Sequence, residues 1–353
     1  MSAIDLIAES APQIKNTVDA VRKSAMPETD KELILEWLIY LRLNRNLSPN
    51  TVENYGQAQL AFCEYLKTLR DADPENEHIE MLTAEPRHAD DWHKTMAMTK
   101  LKVDTRAMRL SGMRQFYRWA DYKNLCVNRM HSVVGPKRDQ KVPKIYSDRE
   151  LQGFFASCDR STDLGLRDYA VLMFFLGTGA RRVEAERLTI ADLQMSTNVG
   201  GVMLDGKGSK ERFVAFDSPV VNALNEWLHV RDKYALGHNH VFVALNGRTK
   251  GEPLGAHGLD GVIGRVAKCS GNESEGLHRL RSVFASQLYE ETRDIELVRV
   301  TLGHNDINTT RRYIAISPTA RSSRMSAARL RKLTGVDDGQ ANLPRWLSQK
   351  THS

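Results

Sequence analysis

The sequence predicts a mainly α-helical chain in two domains, with a small β-sheet confined to the second. Three observations carry that reading. Apolar residues recur at helix spacing through much of the chain, as in Leu33, Trp37, Leu38 and Leu41. One pair of strand-like segments, 202–205 and 212–216, flanks the glycine-containing turn Gly206-Lys207-Gly208-Ser209-Lys210-Glu211. Between the two regions, residues 135–144 hold two prolines and four basic residues without an apolar repeat, the composition of an extended linker. A length of 353 residues with 41% hydrophobic content suits two separate cores better than one very large one.

The elements follow in order. Residues 1–27 carry mixed charge and weak periodicity, and read as an N-terminal extension, either frayed or a short partner-contacting helix. Residues 28–134 form the helical first domain. Within it Ser48-Pro49 is a helix start, a capping hydroxyl followed by a proline whose missing N–H costs nothing at the first helical position. That helix runs to about residue 69, the acidic stretch 71–80 reads as a loop, and a second helix near 103–122 buries Leu110, Phe116, Tyr117 and Ala120. The linker spans 135–146. Ser147 followed by Glu150 makes a capping box that opens the second domain, 147–333. There the strand pair gains a third candidate strand at 240–245, and the helical pattern returns near 257–268, 278–291, 294–302 and 318–333. Residues 334–353 are a tail.

A formal net charge of +6 favours a polyanionic partner such as nucleic acid. The four cysteines, Cys63, Cys126, Cys158 and Cys269, are far apart and form no C-x-x-C pair, so neither a zinc site nor a disulfide framework is expected. The N-terminus lacks the basic start and apolar run of a signal peptide, and no stretch reaches membrane-spanning length, so the expectation is a soluble cytoplasmic protein.

Four separated pieces concentrate the chemistry. They are Thr178-Gly179-Ala180-Arg181-Arg182-Val183-Glu184, the Lys207 turn, His278-Arg279-Leu280-Arg281, and Leu302-Gly303-His304 followed nine residues later by Tyr313. In this order they resemble the tyrosine recombinase family, the phage integrase and Xer-like proteins. The resemblance spans the second domain and, more loosely, the first, which looks like the family's core-binding domain. It implies a two-domain clamp on DNA with a mixed α/β catalytic domain, and an active site of Arg181, Lys207, His278, Arg281, His304 and Tyr313.

The residue types suit that chemistry. Attack of a tyrosine on a phosphodiester passes through a five-coordinate phosphorus with extra negative charge on its oxygens. Arginine meets that charge with a planar, permanently protonated fork, which assigns Arg181 and Arg281 as the phosphate clamp in place of a metal ion. The phenol, with an ordinary pKa near 10, needs nearby positive charge or a base, which His304 and the arginines supply. A lysine on a hairpin turn suits protonation of the departing 5′ oxygen, making Lys207 the general acid, and His278 adds a hydrogen bond to the phosphate. No metal and no cofactor are expected. Arg182 and Lys210 stand beside Arg181 and Lys207 as alternatives, and Ser282 occupies a position after Arg281 where family members often carry a second histidine.

Outside the motifs, Lys102, Arg106 and Arg109 share one helical face, Arg114 and Arg118 extend it, and together they read as phosphate contacts. Arg265 and Lys268 are candidate groove residues. After Tyr313, Arg321, Arg324, Arg329, Arg331 and Lys332 alternate with Met325, Ala328 and Leu333 in a basic amphipathic helix. By resemblance, segment 318–347 packs onto a neighbouring protomer in a tetramer that joins two double-stranded recombination sites and integrates, excises or resolves DNA through a 3′-phosphotyrosine intermediate. Two rivals stand beside this reading: a type IB topoisomerase-like relaxase, and a catalytically silent DNA-binding protein of the same fold.

Overall fold

The computed structural model describes residues 2–137, 144–196, 199–206, 210–274, 276–304 and 310. The chain divides into two compact units, Met1–Asp139 and Gln140–Ser353, each with its own hydrophobic core.

The first unit is helical: α1 (Ala3–Ser10), α2 (Pro12–Lys23), α3 (Glu28–Ile39), α4 (Pro49–Ala72), α5 (Pro86–Met98) and α6 (Val103–Tyr122). The start of α4 is as the sequence predicts, with the Ser48 side chain accepting from the Thr51 N–H and Pro49 in the first turn. Helices α4 and α6 cross closely because Gly112 has no side chain, since a Cβ there would stand 2.7 Å from that of Ala58. Trp37, Phe62, Phe116 and Tyr117 fill the centre, and Trp37 meets Phe116 edge to face at 5.3 Å.

Residues 1–27 differ from the extension expected of them. Helices α1 and α2 bury Ile4, Ile7, Ile14, Val18 and Val21 in the same core as the rest of the unit. Each helix is amphipathic, but Pro12 at the start of α2 resets the phase between them, so a single periodic window across both reads as weak.

The second unit contains α7 (Asp148–Ala156), α8 (Asp163–Thr178), α9 (Arg182–Arg187), β1 (Leu193–Met195), β2 (Val199–Gly206), β3 (Lys210–Asp217), α10 (Ser218–Arg231), α11 (Ala256–Cys269), α12 (Leu277–Thr292) and α13 (Ile295–Leu302). Helix α8 is its axis, buried from Ala170 to Leu176. The three strands form an antiparallel sheet in sequence order, with Val202 opposite Val214 and Gly206 opposite Lys210. The predicted hairpin is present, but its third strand is β1 rather than 240–245. That stretch makes only isolated bridges, Thr189 with His240 and Val243 with Pro253. Val241, Phe242 and Val243 are buried among helices, and the Trp227 indole donates to the Val241 carbonyl at 2.8 Å, so the apolar run marks burial and not a ladder.

Candidate active site

Two chain reversals and one helix carry the described part of the site. Helix α8 ends at Gly179, whose φ of 59° is left-handed and whose missing side chain leaves room for the Phe284 ring. The chain re-extends through Ala180 and Arg181, and α9 begins. Its first turn is closed by Glu184, which accepts from the Arg181 backbone N–H at 2.6 Å and from the Arg181 guanidinium at 2.8 Å. Helix α13 likewise ends on a left-handed glycine, Gly303 (φ 64°), and turns out His304. The Arg181 guanidinium bridges the two turns by donating to the Gly303 carbonyl at 2.6 Å.

Helix α12 delivers the second arginine. His278 and Arg281 stand three residues apart, one turn, on the same face. Arg281 is only 1% exposed and is held by three acceptors: the carbonyls of Gly179 at 2.5 Å and Leu302 at 2.7 Å, and His304 Nε2 at 3.0 Å. Because a guanidinium only donates, Nε2 of His304 must accept, which leaves the ring proton on Nδ1, 2.9 Å from the Thr310 hydroxyl. Burial, then the charges of Arg281 and Arg181, lower the His304 pKa to about 4. Desolvation by its neighbours, followed by the same two arginines, also holds His278 below the usual imidazole range.

The structure thus brings Arg181, Arg281 and His304 into one hydrogen-bonded cluster, with His278 within its electrostatic reach. Arg182, the alternative to Arg181, is ion-paired with Asp260 of α11. Lys207 and Tyr313 lie outside the described residues, as does the basic helix expected at 318–333. Arg212 of β3 was not singled out by sequence. It donates to both oxygens of Glu184 at 2.7 Å and through Nε to the Thr301 carbonyl at 2.7 Å. Burial pushes the Glu184 carboxyl up, but hydrogen bonding and charge from Arg212, then from Arg181, outweigh it and hold the pKa below its ordinary value. Twenty-eight residues separate Glu184 from Arg212, so no helix or strand spacing announces the pair; the one signal is a charged residue in a strand, where burial requires a partner.

The DNA-contact candidates divide. Lys102 is exposed at the start of α6 and Lys268 is exposed near the end of α11. Arg106 donates to His93 Nε2 at 3.3 Å, Arg114 to the Val133 carbonyl at 3.0 Å, and Arg109 is half-buried. Arg265 is half-exposed, and its guanidinium pairs with the buried carboxylate of Asp168, which also receives Arg167.

Buried Arg281 and part-exposed Arg181, held on two glycine turns beside His304, concentrate guanidinium charge of the kind that suits an oxyanion. Residues 145–319 match the model of the phage integrase family, and residues 34–124 match that of the phage integrase N-terminal SAM-like domain. The chain belongs to that family, as a tyrosine recombinase of the Xer type. It is 28% identical to tyrosine recombinase XerC of Staphylococcus epidermidis over 80% of this chain and 91% of that one. Against XerC of Staphylococcus aureus it is 29% identical over 78% and 89%. Among solved structures, XerH bound to its palindromic difH substrate aligns with a TM-score of 0.67 at 19% identity, covering 95% of this chain and 93% of that one. A lambda integrase dimer on a core site aligns at 0.58 and 16%, over 80% and 76%. These likenesses agree with the two-domain fold.

Proposed function

We propose that this recombinase cleaves one DNA strand by attack of the Tyr313 phenol on a phosphodiester clamped by Arg181 and Arg281. The observation that carries the reading is the pair of guanidiniums fixed on the Gly179 and Gly303 turns, with His304 hydrogen-bonded to Arg281. As the Tyr313 oxygen bonds to phosphorus, its proton leaves to a base or to solvent; the bond from phosphorus to the 5′ oxygen breaks, and Lys207 protonates that oxygen. The 3′-phosphotyrosine keeps the energy of the broken bond, so a 5′ hydroxyl from another strand can reverse the step without ATP. Phosphate charge is met by arginine, and the reading uses no metal and no cofactor.

The substrate in this reading is double-stranded DNA; XerH was solved bound to a difH substrate and lambda integrase bound to a core site. The protein acts in the cytoplasm as a tetramer on two sites, with segment 318–347 of one copy docking on the next. A groove beside the sheet suits that occupant: Phe213, Leu297 and Val300 line it and Glu211, Asp217 and Glu291 charge it, complementing a basic amphipathic helix.

Tyr313→Phe tests the nucleophile. It removes one oxygen and keeps the ring, so gel-shift binding should persist while covalent adducts on a radiolabelled nicked substrate disappear; adducts that remain would transfer the role to another residue. Pairing of two labelled sites in native gels separates a recombinase from a relaxase, which rejoins its own strand.

A further inference from the structure

We infer that Arg212 is a positioning residue for cleavage, setting the place and the free charge of Arg181 through the shared carboxylate of Glu184. The inference rests on the reading of Arg181 as a phosphate clamp. Its basis is the way four contacts divide over one buried group. Oε1 of Glu184 receives the guanidiniums of both Arg181 (2.8 Å) and Arg212 (2.7 Å), while Oε2 receives the Arg181 backbone N–H (2.6 Å) and the second nitrogen of Arg212 (2.7 Å).

The three side chains differ in exposure, and the difference assigns their parts. Those of Glu184 and Arg212 are 3% and 8% exposed, whereas that of Arg181 is 33% exposed and open to a ligand. A buried carboxylate facing Arg181 alone would neutralise it, drawing the guanidinium inward from an incoming phosphate. With Arg212 holding the carboxylate in a two-pronged grip, its negative charge is balanced from behind, and Arg181 keeps a net positive field toward solvent. Glu184 then fixes Arg181 at both backbone and side chain without consuming it.

Arg212 also reaches the second turn. Its Nε donates to the Thr301 carbonyl, and a Cβ on Gly303 would stand 3.2 Å from its Nη1 and 3.5 Å from the Arg181 Nη1. One side chain on β3 therefore braces the α9 turn that bears Arg181 and the α13 turn that precedes His304. The role falls to arginine, since a lysine presents a single point of charge and cannot serve two carboxylate oxygens and a carbonyl in one plane.

The test is single-turnover cleavage of a nicked duplex by full-length Arg212→Met, Arg212→Lys, Arg181→Ala and the Arg181→Ala/Arg212→Met double variant. Each is measured at saturating protein on a normal scissile phosphate and on one whose non-bridging oxygen is replaced by methyl, which carries no charge to clamp. Arg212→Met should lower the saturated rate roughly 10- to 100-fold, the range that orienting partners of a functional group command, with DNA affinity nearly unchanged. The deficit should shrink on the methylphosphonate, and the double variant should be no slower than Arg181→Ala. Arg212→Lys, which keeps a cation against Glu184, should fall between wild type and Arg212→Met, and it carries the test if the methionine variant does not fold. Wild-type rates in both Arg212 variants would overturn the inference. So would a deficit that persists on methylphosphonate and multiplies with Arg181→Ala, because general loosening of the domain predicts that pattern. Wild-type cleavage by Arg181→Ala would instead overturn the clamp reading, and this inference with it.

Discussion

His304 shows how a residue type legible in sequence acquires a state that is not. Its nitrogens are committed to Arg281 and the Thr310 hydroxyl, and its pKa is lowered to about 4, so the folded protein holds it neutral where an unfolded chain, titrating near 6.5, would bind a proton. The sign follows from that difference. Between these values the unfolded state carries the extra proton, so stability falls as pH drops from about 6.5 toward 4, by up to about 3 kcal/mol. Thermal melts across this range should show a steeper loss for wild type than for His304→Gln; parallel curves would mean that the histidine titrates normally. Lys207 is tested by chemistry alone. Lys207→Ala should cleave ordinary DNA slowly yet react well when the bridging 5′ oxygen is sulfur, because a thiolate leaves without a proton. Without rescue by sulfur, the general-acid role passes elsewhere, and Lys210→Ala on the same substrates identifies the nearest candidate. The resemblance of the ordered motifs to the family names Arg181, Arg281 and His304 together; it does not reach Arg212 and Thr310, whose partners are met only in three dimensions.

Among the elements, those that begin or turn on a strong local signal are legible in the sequence. Ser48-Pro49, the Ser147 and Glu150 capping box and the glycine-rich hairpin each fix backbone geometry over a few residues, and the structure agrees at all three. Where burial decides instead, as at 240–245, sequence pattern misled, because a short apolar run looks the same in a sheet and in a core. The end of α8 is the most consequential of these local signals. Gly179 takes a left-handed backbone, a Cβ there would lie 2.3 Å from the Phe284 ring, and its carbonyl holds Arg281 just ahead of Arg181. Gly179→Ala should therefore cost about 2–3 kcal/mol in a thermal melt, combining backbone strain with the clash, and should slow cleavage further by shifting both arginines. Pairing it with Phe284→Leu should recover part of the stability; full wild-type cleavage in the single variant would show that this turn does not set the clamp.

At the scale of the whole chain, the division into two units was legible in the linker, whose prolines and charges oppose a core, while the true extent of the first unit was not. Helices α1 and α2 belong to that unit's core. Thr17 packs its methyl at Gly56 of α4, close enough that a Cβ there would meet it at 2.6 Å, and its hydroxyl accepts from Gln57 at 3.1 Å. Arg22 of α2 pairs with Asp5 of α1, tying the two helices together. Removing residues 1–27 would strip the cover from the apolar face to which Ile14, Val18 and Val21 contribute, each aliphatic side chain accounting for about 1.5–3 kcal/mol of burial. A domain is typically stable by only about 5–15 kcal/mol, and the uncovered patch also invites association. A chain beginning at Glu28 should therefore melt in two steps, the first unit losing structure well below the second, with trypsin cutting preferentially before the linker. DNA binding should weaken accordingly, while cores that share no residue leave the second unit's transition unchanged. A truncated protein that melts and resists trypsin like the full chain would mean that α1 and α2 rest on a core complete without them.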